Sequence, residues 1–120
     1  MRDHRSLVAW QRAKRFVLGV QRVTTRIWRP ALAHFIDQLR RSALSVQLNI
    51  SEGQGLATPL LFRKHLTISY GSSIEAVDVL DLLRELLPDE EKDLKELQDW
   101  GEECSRLVLG LKHSIESKLR

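Results

Sequence analysis

One stretch of the sequence decides the fold: QLRRSALSVQLNISEGQG, residues 38–55. Its apolar residues recur at steps of three and four, which places them on one face of a helix. A second apolar pair lies on the opposite side, so we expect this helix to be covered from two directions. Gly53 and Gly55 supply a left-handed C-terminal stop, which ends the predicted helix over residues 31–52.

Three further segments share the helical period and can pack around this central helix. They cover residues 7–28, residues 59–87 and a segment that starts at Pro88, and each boundary holds a proline that breaks a helix or begins one. Four amphipathic helices with short connections favour an antiparallel up-and-down four-helix bundle, which is an all-α fold. A length of 120 residues suits one domain, so we predict a single domain over residues 1–120.

Small and polar residues stand where this bundle needs a core. We expect the closest helix crossing at small residues of the third helix: Ser69, Gly71, Ser72, Ser73 and Ala76. Two polar pairs are each spaced by one helical turn: Asn49 with Glu52, and Ser72 with Glu75. We interpret these pairs as a polar network that fixes the register of the helices. The alternative is a carboxylate site for a metal or for acid–base chemistry.

No residue pattern predicts a catalytic or metal site. A ferritin-like di-metal centre needs Glu-x-x-His pairs, and the sequence contains none. The one cysteine, Cys104, lies on an apolar seam of the fourth helix, which is typical of a small buried hydrophobe. A single cysteine cannot form an internal disulfide, which favours a reducing, cytoplasmic setting. We expect a soluble, cytoplasmic protein that is not an enzyme, with no cofactor, no small-molecule substrate and no membrane contact.

The positive charge is concentrated at the start of the chain. Residues 1–29 hold eight basic residues and one acid, whereas residues 88–120 hold six basic and nine acidic residues. Arginines form a stripe beside the apolar face of the first helix, at Arg12, Arg15, Arg22, Arg26 and Arg29. With Arg40 and Arg41, they are the candidate contacts to RNA or DNA, because guanidinium groups suit phosphates. The alternative is a solvated face, or one paired with the acidic fourth helix.

An apolar pair, Leu44 and Leu48, lies on the otherwise polar side of the central helix. Leaving both leucines in water would be unfavourable, so we interpret them as a subunit interface between copies of this chain. Two functions remain open. One is a homo-oligomeric bundle that contacts RNA or DNA, and the other is a purely structural or protein–protein interaction module.

Three motifs resemble those of a bacterial four-helix-bundle family, some of whose members are encoded by intervening sequences inside 23S rRNA genes. Residues 5–13 are similar to its L-x-V-W-Q-x-A opening, and residues 38–53 to its Q-L-R-R-A-A-x-S-I-P-x-N-I-A-E-G signature. Residues 62–75 are similar to its F-x-x-F-L-x-I-A-x-G-S-x-x-E motif. The resemblance implies a bundle that assembles into homo-oligomeric, typically pentameric, rings. A distant branch works beside retroelement reverse transcriptases and binds nucleic acid.

The sequence departs from the family pattern at four positions. Gln47 replaces the usual proline, Ser51 the usual alanine, Leu56 a frequent arginine and His65 an aromatic residue. Losing the proline implies a straighter second helix, because proline kinks a helix interior.

Overall fold

Four α-helices follow one another in a computed structural model that describes residues 7–55 and 58–119. Their bounds are Val8–Ile27 (α1), Ala33–Gly55 (α2), Pro59–Leu86 (α3) and Glu91–Lys118 (α4). Short 3₁₀ turns precede α2 and α4, and the described residues contain no strand. The start of α3 is capped as its sequence predicts: the Thr58 Oγ1 accepts a hydrogen bond from the backbone nitrogen of Leu61 at 3.2 Å. Leu56 and the first two residues of the opening motif lie outside the described ranges.

Each helix runs antiparallel to two neighbours. Along every packed pair of helices, residue numbers rise on one side as they fall on the other. The cross-helix hydrogen bonds that show this are Trp10–Ser51 and Arg40–Thr24 (α1 and α2), Gln38–Glu75 and Asn49–His65 (α2 and α3), Ser73–Ser105 and Arg84–Gln98 (α3 and α4), and Arg15–Glu103 and Arg26–Glu90 (α1 and α4). This arrangement confirms the antiparallel up-and-down four-helix bundle predicted from the helical periods.

The apolar faces of the four helices meet in one core cluster. On α4, the steps of three and four predict an apolar seam that is buried at Leu94, Leu97, Gly101, Cys104, Val108 and Ile115 and half-buried at Leu111. On α1, the apolar face that lies beside the arginine stripe is also buried, at Ala13, Phe16, Val20, Val23 and Ile27. The strict steps of three and four therefore located the core correctly. Within the described part of the chain, none of the helices has both the length and the apolar character needed to cross a membrane.

Gly53 is part of α2 and does not end it. The helix continues to Gly55, and no glycine among the described residues has a positive φ, so the predicted left-handed stop is wrong. A Cβ atom at Gly53 would lie 2.8 Å from Cδ1 of Phe62 and 2.9 Å from Cβ of His65. The absence of a side chain is needed because α3 lies against α2 at this point.

Small residues permit a second close approach near the middle of the same two helices. The Ser69 hydroxyl, fully buried, donates to the backbone carbonyl oxygen of Val46 at 2.8 Å. Nearby, the hydroxyls of Ser45 and Ser72 are hydrogen-bonded at 2.7 Å. Gly71, by contrast, is exposed with nothing within 4 Å of a Cβ placed on it, so it does not belong to the predicted crossing. Its position on α3 points it to the outside of the bundle.

Replacing Gly53 with alanine tests the close contact between α2 and α3. We expect Gly53→Ala to lower the free energy of unfolding by about 1–3 kcal/mol, the usual cost of forcing extra atoms into a packed site. Gly110→Ala is the matched control, since nothing lies within 4 Å of a Cβ at that helical position. The control should raise the free energy of unfolding by about 0.5–1 kcal/mol, because alanine favours a helix more than glycine does. Denaturant unfolding measures both, and equal effects of the two substitutions would contradict the packing argument.

Candidate functional site

Part of the arginine stripe on α1 is neutralised by carboxylates of α4. Glu103 Oε1 lies 2.7 Å from Nη2 of Arg15 and 3.6 Å from Nε of Arg12. The guanidinium of Arg26 spans two carboxylates, with Nη1 at 2.7 Å from Glu90 and Nη2 at 2.7 Å from Asp93. These pairs correspond to the second interpretation of the stripe, in which it faces the acidic fourth helix.

Each of these pairs also holds α1 against α4. The hydrogen bond that Arg26 donates to Glu90, with the nearby charges of Glu90 and Asp93, raises the pKa of Arg26 above its ordinary value. Arg15 gains a further contact, because its guanidinium carbon lies 4.3 Å from the ring centroid of Trp100. Guanidinium groups held in this way are less available to an external phosphate.

Two arginines of the stripe remain unpaired. Arg22 and Arg29 are exposed, and neither makes an ion pair or a side-chain hydrogen bond with the described residues. Arg22 lies on α1, and Arg29 follows the helix in an extended connection to α2. Within the stripe, the unpaired positive charge is therefore located in the half of α1 that leads into α2, and at the connection that follows it.

The two candidate arginines of α2 differ from each other. Arg40 donates through Nε to Thr24 Oγ1 at 2.9 Å and through Nη2 to Thr25 Oγ1 at 3.4 Å. These hydroxyls orient the guanidinium without cancelling its charge. Arg41 instead pairs with Asp37, one helical turn earlier, with Nε 3.2 Å from the carboxylate oxygen. Both members of that exposed pair are well solvated, so the pair adds little to stability.

The polar residues of α2 and α3 form a hydrogen-bonded seam with Asn49 at its centre. The Asn49 side-chain nitrogen donates to Ser45, to the backbone oxygen at 2.9 Å and to Oγ at 3.0 Å. Its Oδ1 is then free to accept, and it lies 2.9 Å from Nδ1 of His65, which acts as the donor. Ser45 completes the seam through the hydroxyl of Ser72. Asn49 and Ser72 are thus linked through Ser45 rather than directly.

The two glutamates predicted to join this network lie at its margins. Glu52 is exposed, and its Oε1 is 4.0 Å from Nε2 of His65. Glu75 contacts Gln38 of α2 instead. Ser45 and His65 were the residues that the sequence analysis left out of the network. Their spacing in the sequence could have identified them as members of the network, since Ser45 precedes Asn49 by one turn and His65 precedes Ser72 by two.

The hydrogen bonds of this polar seam join α2 to α3. His65 bonds to an amide oxygen, and the serine hydroxyls bond to each other, so no serine is positioned for activation by the imidazole. No group of three or more His, Cys, Asp or Glu side chains within residues 7–55 and 58–119 is arranged to hold a metal ion. The seam does connect α2 to α3 with directional bonds, which fix the register of the two helices.

Cys104 lies on the buried apolar face of α4, separate from the polar seam, and is not exposed to solvent. Burial raises the pKa of its thiol to about 12, and the neighbouring carboxylate of Glu103 acts in the same direction. The group is therefore a neutral thiol at physiological pH, and a thiol is a poor nucleophile compared with a thiolate.

Twelve large apolar side chains are exposed among the described residues, and four of them lie near the seam residues along α2 and α3. We call these four the α2–α3 apolar face. Its side chains are each about half exposed: Leu44 (43%), Leu48 (51%), Leu61 (41%) and Ile68 (43%). Leu44 and Leu48 each precede a seam residue of α2, whereas Leu61 and Ile68 share a stripe of α3 with the seam residue His65. All four side chains are thus near the seam residues along the chain and exposed to solvent.

These features define a small antiparallel four-helix-bundle protein, with a polar seam inside its most tightly packed helix pair and an apolar face outside it. The chain belongs to the 23S rRNA-intervening sequence protein family, whose family model matches residues 5–110. The match confirms the resemblance found in the three motifs. None of the curated proteins matches the chain.

Asn49 is the residue on which the polar seam depends. We expect Asn49→Ala to lower the free energy of unfolding by about 1–2 kcal/mol, because it leaves Nδ1 of His65 without its partner and removes one of the hydrogen bonds of Ser45 in a partly buried seam. Glu52→Ala is the control on the same helix, and it should change the free energy by less than about 0.5 kcal/mol, as exposed substitutions usually do. Thermal or denaturant unfolding measures both variants. A larger loss for Glu52→Ala than for Asn49→Ala would refute this account of the seam.

Proposed function

We propose that this protein is a non-enzymatic, cytoplasmic scaffold that assembles with copies of itself and presents cationic residues to RNA or DNA. The observation that carries the proposal is the α2–α3 apolar face. Four large apolar side chains of α2 and α3 are held about half in water, near the residues of the polar seam. Contact with a second copy would remove them from water.

Self-association follows from the energetics of this face. Full burial of a leucine or isoleucine side chain contributes about 1.5–3 kcal/mol, so several half-exposed ones form a substantial driving force. The face is rigid, because the seam beneath it fixes α2 against α3. A rigid surface loses little conformational freedom when it binds. The resemblance to ring-forming relatives makes a closed, pentameric ring the assembly that we propose.

The nucleic-acid part of the proposal is supported by the arginines that α4 leaves unpaired. Arg22, Arg29 and Arg40 form no ion pair with a carboxylate of the described residues, and guanidinium groups bind phosphates through paired hydrogen bonds. A single copy offers few such contacts. Repetition around a ring would add them by avidity, so that weak contacts become useful ones. The second candidate function, assembly without nucleic acid, is favoured instead by the pairing of Arg12, Arg15 and Arg26 with carboxylates of α4 on the bundle surface.

Charging the α2–α3 apolar face tests self-assembly. We expect the wild-type protein to sediment as an assembly, with about five times the 13.9 kDa chain mass for a pentamer. Leu48→Glu should reduce the mass to that of one chain, because a buried carboxylate without a partner is strongly unfavourable. Leu18→Glu is the control, since Leu18 is 57% exposed on α1 and away from the face. A wild-type monomer, or equal effects of the two substitutions, would contradict the proposal, and circular dichroism verifies that each variant is folded.

Removing the unpaired arginines tests nucleic-acid contact. We expect the double variant Arg22→Ala, Arg29→Ala to bind a 23S rRNA fragment more weakly and to show a shallower dependence of affinity on salt, by about one unit of slope for each lost phosphate contact. The control is Arg12→Ala, Arg26→Ala, which removes the same number of positive charges from paired positions. Its effect should be clearly smaller. An equal loss of affinity in both variants would contradict a specific role for the unpaired arginines. If the wild-type protein does not bind the rRNA fragment at low salt, the nucleic-acid part of the proposal is wrong and only self-assembly is left.

A further inference from the structure

A half-polar cleft opens where α1 turns into α2. It has a volume of about 480 Å³ and is lined by Trp28, Ala33, His34, Ile36, Asp37 and Arg40. This volume lies within the range of about 300–1,000 Å³ that small-molecule ligands occupy in proteins. The cleft is at the same end of the molecule as the unpaired Arg29, but apart from the α2–α3 seam.

The wall of this cleft contains an unusually exposed aromatic residue. The chain has seven aromatic side chains, and Trp28 alone is exposed, at 50%, whereas the other six are buried or half-buried. Its indole N–H makes no hydrogen bond with any described group. Trp28 is the C-cap residue of α1 and follows its last helical residue, Ile27. An exposed indole offers an apolar, polarisable surface on which another ring can stack.

The guanidinium group of Arg40, in the wall of the cleft, is held in a fixed orientation. Arg40 is held by the hydroxyls of Thr24 and Thr25, which leaves its charge uncompensated. The one carboxylate in the lining, Asp37, is paired with Arg41 outside the cleft. The cleft therefore combines a free aromatic face, a fixed guanidinium and a local excess of positive charge. This combination suits a planar ring attached to a phosphate.

We propose that the Trp28 cleft binds an unstacked base of a single-stranded nucleic acid, with the base on the indole of Trp28 and the adjacent phosphate on Arg40. The inference rests on the proposed function and deepens it, because it names the form of nucleic acid that is bound. Stacking on an aromatic ring is tolerant of sequence, since every base has a π-face. A base inside a duplex cannot enter the cleft, so single strands, loops and bulges are the ligands.

Fluorescence anisotropy with labelled oligothymidylate of about eight nucleotides, a length within the usual range for single-strand sites, tests the cleft. We expect Trp28→Ala to weaken binding by roughly 5- to 150-fold, which is the effect of losing one stacked base. Trp28→Phe should retain most of the affinity, because phenylalanine also offers an aromatic face. Leu18→Ala is the matched control for removing an exposed apolar side chain, and it should bind as the wild type does. Sedimentation of Trp28→Ala should give the wild-type mass.

Two further probes separate stacking from attraction to phosphate. An abasic oligonucleotide of the same length should bind the wild type about as weakly as oligothymidylate binds Trp28→Ala, and the variant should not distinguish the two probes. A blunt duplex should bind more weakly than the single strand. The inference is overturned if Trp28→Ala binds oligothymidylate like the wild type, if the duplex binds as tightly, or if Trp28→Ala loses the assembly. If the cleft variant is normal but the Arg22, Arg29 variant is weakened, only the cleft fails, whereas no binding at low salt removes both proposals.

Discussion

Glycine and serine let α2 and α3 lie closer together than helices lined with leucine can. Gly53 leaves room for Phe62, and Ser69 reaches a backbone carbonyl oxygen of the opposite helix. Because the two helices lie so close together, the short side chains of Ser45 and Ser72 can form a hydrogen bond, and Asn49 can reach His65. The polar seam between the two helices depends on this contact.

The periods of the sequence were sufficient for the architecture. Steps of three and four identify the buried faces of α1 and α4 because a helix converts spacing directly into direction. Gly53 shows where such reasoning fails. A glycine near the end of a helix has the same sequence signature whether it adopts a left-handed stop or admits a neighbouring helix. Only the position of Phe62 and His65 in space distinguishes the two, and that depends on α3.

The candidate site was predictable in its residue types but not in its partners. The arginine stripe of α1 is visible in the sequence, yet the carboxylates that neutralise part of it are 64 to 88 residues away for Arg15 and Arg26. Spacing along one helix says nothing about which helix lies opposite. The same reason explains the polar seam, since Asn49 bonds to His65 on another helix while Glu52, one turn away, stays exposed. The exposure of Trp28 likewise depends on the turn between two helices.

The α1–α4 ion pairs have a consequence for the way the chain is made. A ribosome produces α1 first and α4 last, so Arg15 and Arg26 leave the exit tunnel well before their carboxylates exist. During that interval the nascent chain carries an uncompensated cationic helix beside a large polyanion, the ribosomal RNA itself. Arrival of α4 neutralises that part of the helix and reduces its attraction to the ribosome surface. Because α4 is made last, these arginines of α1 become ion-paired only when the fold is completed.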